Sequence, residues 1–328
     1  MKRITDRLQW ICAAAALAVI AAAANTVHAQ PYPNRPIRLL VGFAPGGGVD
    51  INARLLAARM TEILGQQVLV ENRPGAGTNI ANEAVAKATP DGYTLLFTSP
   101  AVAINMSLYK NPPYDALRDF TPVSVFSEST NLLVVPATLP VKSLRDLVEL
   151  ARTKPGTLNY SSAGAGTTQH LAGELFNLRT GTKSVHVPYK GSAPSITALI
   201  AGEVQMSFVN PVAIGQQVKS GRLRALSVAG AKRTALMPEI PTMKEAGVEG
   251  VEVTLWYGAL APAATPRPIL STLANAVIAA ANTATLRQRL LEQGAEPVGN
   301  TLEEFGKQLR EDVARWAEVV AVSGARAD

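Results

Sequence analysis

Residues 36–50 read PIRLLVGFAPGGGVD. The run from Pro36 to Phe43 has the length and apolar content of a buried strand, and the glycines after it break the chain sharply. From Asp50 to Leu64 apolar residues recur at helical spacing until Gly65 stops them. Strand, Gly-rich turn and helix in that order form a βα unit, whose strand buries both faces when repeats of the unit lay helices over a parallel sheet.

The pattern does repeat outward from this stretch. Gln67 to Val70 reads as a strand, Gly77 to Lys87 as a helix and Tyr93 to Thr98 (YTLLFT) as a third strand. Farther on, strands are expected at Asn131–Pro136, Leu158–Ser161, Ser184–Pro188, Val204–Val209 and Leu223–Ala229. Helices are expected at Ser143–Thr153, Thr167–Thr180 and Ser195–Gly202. Strict βα alternation implies parallel sheets with helices on both faces. After Val253–Leu260 (VTLWYGAL) the character changes: Pro262, Pro266 and Pro268 punctuate a loop, and helices follow at Ile269–Thr283 and Leu302–Val322. A terminal helical block after a second βα run implies that the chain crosses between two lobes twice, near Ser127–Asn131 and near Val251–Thr254. Residues 30–128 plus 254–328 then form lobe 1, and 129–253 form lobe 2.

The N-terminus bounds the compartment. Lys2, Arg3 and Arg7 precede an apolar stretch from Trp10 to about Ala24, and Val27-His28-Ala29 offers a small-residue exit. That is the build of a secretory signal peptide, residues 1–29, and it is short for a membrane span. The single cysteine, Cys12, lies inside the apolar stretch, so the exported chain is expected to have no disulfide, cysteine nucleophile or thiolate metal site. Loss of Lys2, Arg3, Arg7 and Asp6 lowers the formal charge from +6 to +4. The remaining excess is spread along the chain without a basic run, which argues against nucleic-acid binding.

Three glycine-rich turns carry the functional signal. GFAPGGGVD, Gly42 to Asp50, lets the backbone approach a ligand and points helix N-terminal amides at it, an arrangement that favours a carboxylate or phosphate. No Gly-Lys-Ser/Thr follows, so it is not a Walker loop, and Ile51 stands where a dinucleotide fingerprint needs its last glycine. GAGT occurs twice, at Gly75–Thr78 and Gly164–Thr167, each opening a helix with free amides and a threonine hydroxyl. Two such starts in one lobe and one in the other make a two-sided anion clamp.

In these segments the chain resembles the substrate-binding components of tripartite tricarboxylate transporters, the Bug family of periplasmic receptors. The resemblance runs through YPNRPIRLLVGFAPGGGVD, ENRPGAGTNIA, ATPDGYTLLF, YSSAGAGTTQHLAGELF, VPYKGSAP and Trp256-Tyr257-Gly258. It implies a type II periplasmic-binding-protein fold, two doubly wound α/β lobes on a two-crossing hinge that close on a small organic carboxylate. It also implies a ligand held largely by backbone amides and waters, with no cofactor. The matching positions in lobe 1 are Phe43, Ala44, Gly46, Gly47, Asp50, Gly77, Thr78 and Asn79, with Ser99 and Ala101 after the third strand. In lobe 2 they are Ser162, Ala163, Gly166, Thr167, Thr168, the turn Tyr189-Lys190-Gly191, and Asn210 with Pro211. Asn210 stands where the family pattern often has an acidic residue. Asp50 is awkward beside an anion; it can cap its helix, orient a water or meet a ligand amino or hydroxyl group.

Other residues invite catalytic readings. His170 stands near Ser161, Ser162, Thr167 and Thr168, but there is no G-x-S-x-G elbow, and the two histidines of the exported chain lack metal-ligand company. His170 is expected to hydrogen-bond a neighbouring element, Lys190 to sit solvated at the cleft rim, and Trp256 to pack at the hinge rather than shield the cleft. The resulting expectation is a monomeric, non-enzymatic receptor in the periplasm that hands a small organic acid to permease subunits. The alternatives are a receptor that acts on a sensor protein, or an exported enzyme on the same fold.

Overall fold

The computed structural model describes residues 32–292 and 294–327, so the expected signal peptide and Cys12 lie outside the described residues. Arg35–Asp328 is a single unit built on two sheets. The first sheet takes β1 (Ile37–Val41), β2 (Val68–Asn72), β3 (Thr94–Thr98), β4 (Phe120–Thr130), β10 (Thr254–Pro262) and the short β11 (Glu296–Pro297), in the order β11-β4-β10-β3-β1-β2. The second takes β5 (Leu132–Pro136), β6 (Asn159–Ser162), β7 (Val185–Pro188), β8 (Met206–Val209) and β9 (Leu223–Val228), in the order β7-β6-β8-β5-β9.

Ten α-helices cover the sheets among the described residues. They are α1 (Gly48–Leu64), α2 (Asn79–Ala86), α3 (Ala101–Leu108), α4 (Leu144–Thr153), α5 (Thr168–Thr180), α6 (Ser192–Ala201), α7 (Pro211–Lys219), α8 (Arg267–Ala281), α9 (Ala284–Glu292) and α10 (Leu302–Ser323). Local chemistry sets their ends. α1 stops at Gly65 in the left-handed region (φ 65°), while α4 and α10 each start on a capping box, Ser143 with Asp146 and Thr301 with Glu304.

The sheets are mixed, which corrects the expectation of wholly parallel ones. β4 and β10 carry the two crossings between lobes, one leaving and one returning, so they lie side by side antiparallel and cannot both run with β1 and β3. β5 continues directly from β4 and is antiparallel to both β8 and β9. The remaining pairs, β1 with β2 and β3, and β6 with β7 and β8, are parallel as the βα units require.

Sequence reading also passed over β4, α3, α7 and α9. β4 (FTPVSVFSEST) is rich in Ser and Thr and contains Pro122, which cannot donate to the ladder; the register slips near its partner Leu260. α3 (AVAINMSL) is buried along nearly its whole length and so shows no amphipathic period. Trp256 sits in the core of lobe 1. Its ring meets Phe305 edge-on at 5.0 Å, and its indole Nε1 donates to Asp312 Oδ2 at 2.6 Å. It packs and does not reach the cleft.

Candidate functional site

The turn before α1 is held open from behind. Its N-cap, Gly47, makes no side-chain cap, and the first helical bond runs from Ile51 N to Gly47 O (2.9 Å), so the amides ahead of it have no partner within the helix. Asp50 does not face outward. It is 2% exposed and accepts from Gly46 N (2.9 Å), Arg54 Nε (3.0 Å) and Asn72 Nδ2 (2.9 Å). Asn72 Nδ2 also donates to Phe43 O (3.0 Å), tying both ends of the turn to one carboxylate. Burial raises the pKa of Asp50, but the bonds from Arg54, the Gly46 amide and Asn72 outweigh it and hold the carboxyl below its usual range. Of the roles open to Asp50, the structure uses its oxygens to shape the anion turn.

The first GAGT turn is strained and pressed between lobes. Ala76 and Thr78 sit at positive φ (45° and 85°), a conformation that costs a residue with a Cβ about 1–2 kcal/mol. Asn82 Nδ2 donates to the Thr78 hydroxyl (3.1 Å), so that hydroxyl serves its own helix. A Cβ at Gly77 would stand 2.4 Å from Ala165 O of the opposite lobe. Asn105, which sequence reasoning missed, braces the contact: its Nδ2 donates to Gly77 O (2.8 Å) and Asn79 Oδ1 (2.7 Å), while its Oδ1 lies where a Gly166 side chain would be.

The second GAGT turn is largely bonded internally. Thr167 caps α5 by accepting from His170 N (3.3 Å), Gly166 N donates to His170 Nδ1 (3.3 Å), and Ala163 N donates to Gln169 Oε1 (2.6 Å). Gly164 N donates to Ser162 Oγ (3.1 Å), which also bonds His186 Nε2 (2.7 Å). His170 and His186 stack at 4.0 Å, with Tyr160 stacked on His186 and hydrogen-bonded to Glu174. Burial depresses His170 to about 4; burial, and then its neighbour's charge, depress His186 to about 3. Both rings are therefore neutral at ordinary pH and serve the loop. It is His186, not His170, that reaches a serine, and Ser162 is fully buried.

The lobes meet over a cavity of about 20 Å³, room for about one water. Of the expected residues, Phe43, Gly47, Ser99, Ala163, Thr167 and Thr168 line it. Ala44 and Gly46 lie at its rim, where Ala44 N donates to Lys190 O across the lobes (3.0 Å), Gly46 approaches Ala193, and Gly191 closes on Ala44. Lys190 is exposed there, and Tyr189 is half-buried with its carbonyl near Gly164. Gly77, Thr78 and Asn79 belong to the neighbouring backbone contact, Ser162 lies behind the second turn, and Ala101 is buried in α3. Asn210 is buried beside Gly48 and donates to Thr130 O (3.4 Å), with Pro211 opening α7.

Sequence reasoning missed Gly48, Val49, Gln169, Ser192, Leu255 and Tyr257 along the cavity. Ser192 opens α6, a third helix whose N-terminus reaches the cleft and whose N-cap, Gly191, carries no side-chain cap. Its signal was the YKGS turn; the helix was expected to begin three residues later. Apart from Tyr257, the lining carries no ionisable side chain. A wider cavity of about 250 Å³ flanks the hinge between Glu128–Thr130 and Gly230–Ala235, but no expected site residue and no helix N-terminus of the clamp lines it. Convergent helix N-termini, rather than size, make the cleft the candidate site. Among the described residues no group of three His, Cys, Asp or Glu side chains could hold a metal ion.

Known proteins share this architecture. BugT of Bordetella pertussis (strain Tohama I) is 36% identical over 305 residues, 92% of this chain and 94% of its own. The solved structure of R. palustris Rpa4515 with adipate is 38% identical, with a TM-score of 0.87 over 90% of this chain and 99% of that one. MatC (Rpa3494) from Rhodopseudomonas palustris with bound malate is 32% identical, with a TM-score of 0.85 over 88% of this chain and 100% of that one. The sequence model of the family described as tripartite tricarboxylate transporter family receptor matches residues 52–324. With two α/β lobes facing each other through helix N-termini and relatives matched along nearly their full length, the chain belongs to the tripartite tricarboxylate transporter receptor family of periplasmic solute-binding proteins.

Proposed function

We propose that this receptor captures a small organic carboxylate between its lobes and presents the closed form to the membrane permease subunits of a tripartite transporter. The observation that carries the reading is the convergence of the α1, α5 and α6 N-termini on one cavity without a charged side chain in its wall. Helix N-termini supply partial positive charge and orphan N–H groups, which suit an anion that must be released again. Relatives of the same architecture hold adipate and malate, and they support the same ligand class here.

The division into lobes at 30–128 plus 254–328 and 129–253 is part of this reading; it is supported by β1–β4, β10 and β11 sharing one sheet and β5–β9 the other. The roles of the expected site residues are likewise part of it, with Asp50 assigned to turn geometry rather than ligand contact. Because the closed cleft has room for about one water, a dicarboxylate enters by parting the lobes at β4 and β10. Calorimetric and thermal-shift titration of the exported chain with adipate, malate, amino acids and neutral amide analogues tests the reading, since a ligand of the native state alone raises the melting point. Stabilisation by one carboxylate class is the expected result; stabilisation only by neutral compounds would remove the anion clamp.

A further inference from the structure

Trp256 and Tyr257 are neighbours on β10, and a strand sends neighbours to opposite faces. Trp256 turns toward α10 and the core. Tyr257 turns the other way, toward the first turn of α1, where a Cβ on Gly48 would meet its hydroxyl at 2.6 Å. The ring is 1% exposed and lines the cleft cavity. Yet its hydroxyl has no hydrogen-bond partner among the described residues. A phenol in a cleft wall normally finds one, and this one lines the cavity, where a ligand oxygen can supply it.

Two further features show that this aim is built. The β10–β4 register shifts between Tyr257 and Gly258, where Phe126 of β4 is the extra residue, so the ladder beside Tyr257 bends locally while β10 itself keeps its alternation. Gly258 itself is hemmed in, since a Cβ there would stand 3.0 Å from the Phe305 ring and 3.1 Å from Ser124 O. The backbone at the bulge is thus fixed from the rear while Tyr257 points forward.

We propose that Tyr257 is a specificity-determining ligand contact: its hydroxyl donates to the anionic oxygen held at the α1 N-terminus and so ties the returning hinge strand to the bound ligand. Burial drives its pKa upward, so the phenol stays protonated and acts as a neutral donor. The wall of the cleft otherwise offers hydroxyls and an amide that are small or engaged, such as Gln169, whose Oε1 and Nε2 bond Ala163 N and Ser192 Oγ. β10 is also one of the two strands that cross between lobes, so this contact couples occupancy to the hinge, whereas contacts from α5 and α6 report only on lobe 2.

The inference rests on the carboxylate reading of the cleft, and Tyr257→Phe separates the two. Removing an unpartnered hydroxyl leaves the unliganded melting point unchanged or slightly raised. Affinity for the carboxylate that best stabilises the wild type should fall about 10-fold to 100-fold, and for its neutral amide analogue only about 2-fold to 10-fold, because a charged acceptor gains more from a donor. Equal affinity of variant and wild type for the carboxylate, or equal losses for acid and amide, would overturn the assignment of Tyr257. No stabilisation of the wild type by any carboxylate would overturn the reading of the cleft, and the inference with it. Should Tyr257→Phe fail to unfold cooperatively, Gly48→Ala tests the same contact from the other side. Its methyl displaces the phenol oxygen, and the same acid-over-amide loss is expected.

Discussion

The two glycine turns that confront each other across the cleft are built by opposite means. Before α1, no side chain caps the helix, and a buried carboxylate behind the turn keeps Gly46 and Phe43 in place while leaving the amides of the first helical turn forward and unspent. Before α5, the amides of Ala163, Gly164, Gly166 and His170 are already engaged, by Gln169, Ser162, a neutral histidine and Thr167, and the first two helical amides, Thr168 and Gln169, are left to face the cleft. In the proposed clamp the first turn is therefore the electrostatic half and the second the more rigid anvil. Similar glycine content conceals this division, because glycine permits close approach without saying where the N–H groups go.

The comparison can be broken most severely at Gly47, whose absent side chain faces Ser192 of lobe 2 at 3.4 Å. Its backbone (φ −86°, ψ 170°) accommodates a β-branched residue, so Gly47→Val should spare folding and obstruct closure. Combined with Thr167→Ala it is expected to raise Kd by about a thousandfold, or about 4 kcal/mol, with circular dichroism unchanged. Unaltered affinity in the pair would remove this placement of the site.

Acid should strike the anvil before the electrostatic half. The folded values of about 4 for His170 and about 3 for His186 lie below the unfolded imidazole value, so the unfolded chain binds more protons in between. Stability from the neutral pair is complete above about pH 6.5 and is lost as pH falls toward 4 and then 3, with His170 alone accounting for about 3 kcal/mol. Urea titrations over that range, with His186→Gln as reference, check it. A wild-type slope no steeper than the variant's would dissociate the histidines from the loop. Asp50, held below the usual carboxylate range, keeps its contribution down to about pH 4 and loses it only below that.

Asp50→Ala sharpens the contrast from the first turn. It strands Gly46 N and Asn72 Nδ2 while Arg54, half exposed, rehydrates; the expected cost is about 2 kcal/mol, or about 4 °C in Tm, with a parallel loss of affinity. Affinity unaffected despite lowered Tm would mean that the turn's shape is not what the ligand reads. The smallest effect belongs to Thr167→Ala alone, which removes one helix cap worth about 1 kcal/mol and should weaken binding only severalfold, since lobe 2's other bonds persist.

Much of this was legible from local pattern. Apolar runs such as Ile37–Val41 and Thr94–Thr98 are buried strands that pair in parallel, and the glycine turns do sit between strand and helix. Strand β4 was not legible, because Pro122 and the Ser/Thr-rich FTPVSVFSEST satisfy no period and become a strand only by pairing with β10. Tyr257 was hidden by its neighbour: the sequence offers two adjacent aromatics and no sign of which faces the core, a choice made by the strand's pleat and what packs on each face.

Residue order alone determined the βα rhythm and the punctuation by glycine, since these depend on neighbours a few positions apart. The tertiary structure decided which amides remain available. That answer lies in contacts between distant positions, such as Asp50 with Asn72, Gly77 with Ala165, and Gly48 with Tyr257. A hydrogen-bond donor is free or spent only with respect to what folding brings beside it, and no local pattern carries that information.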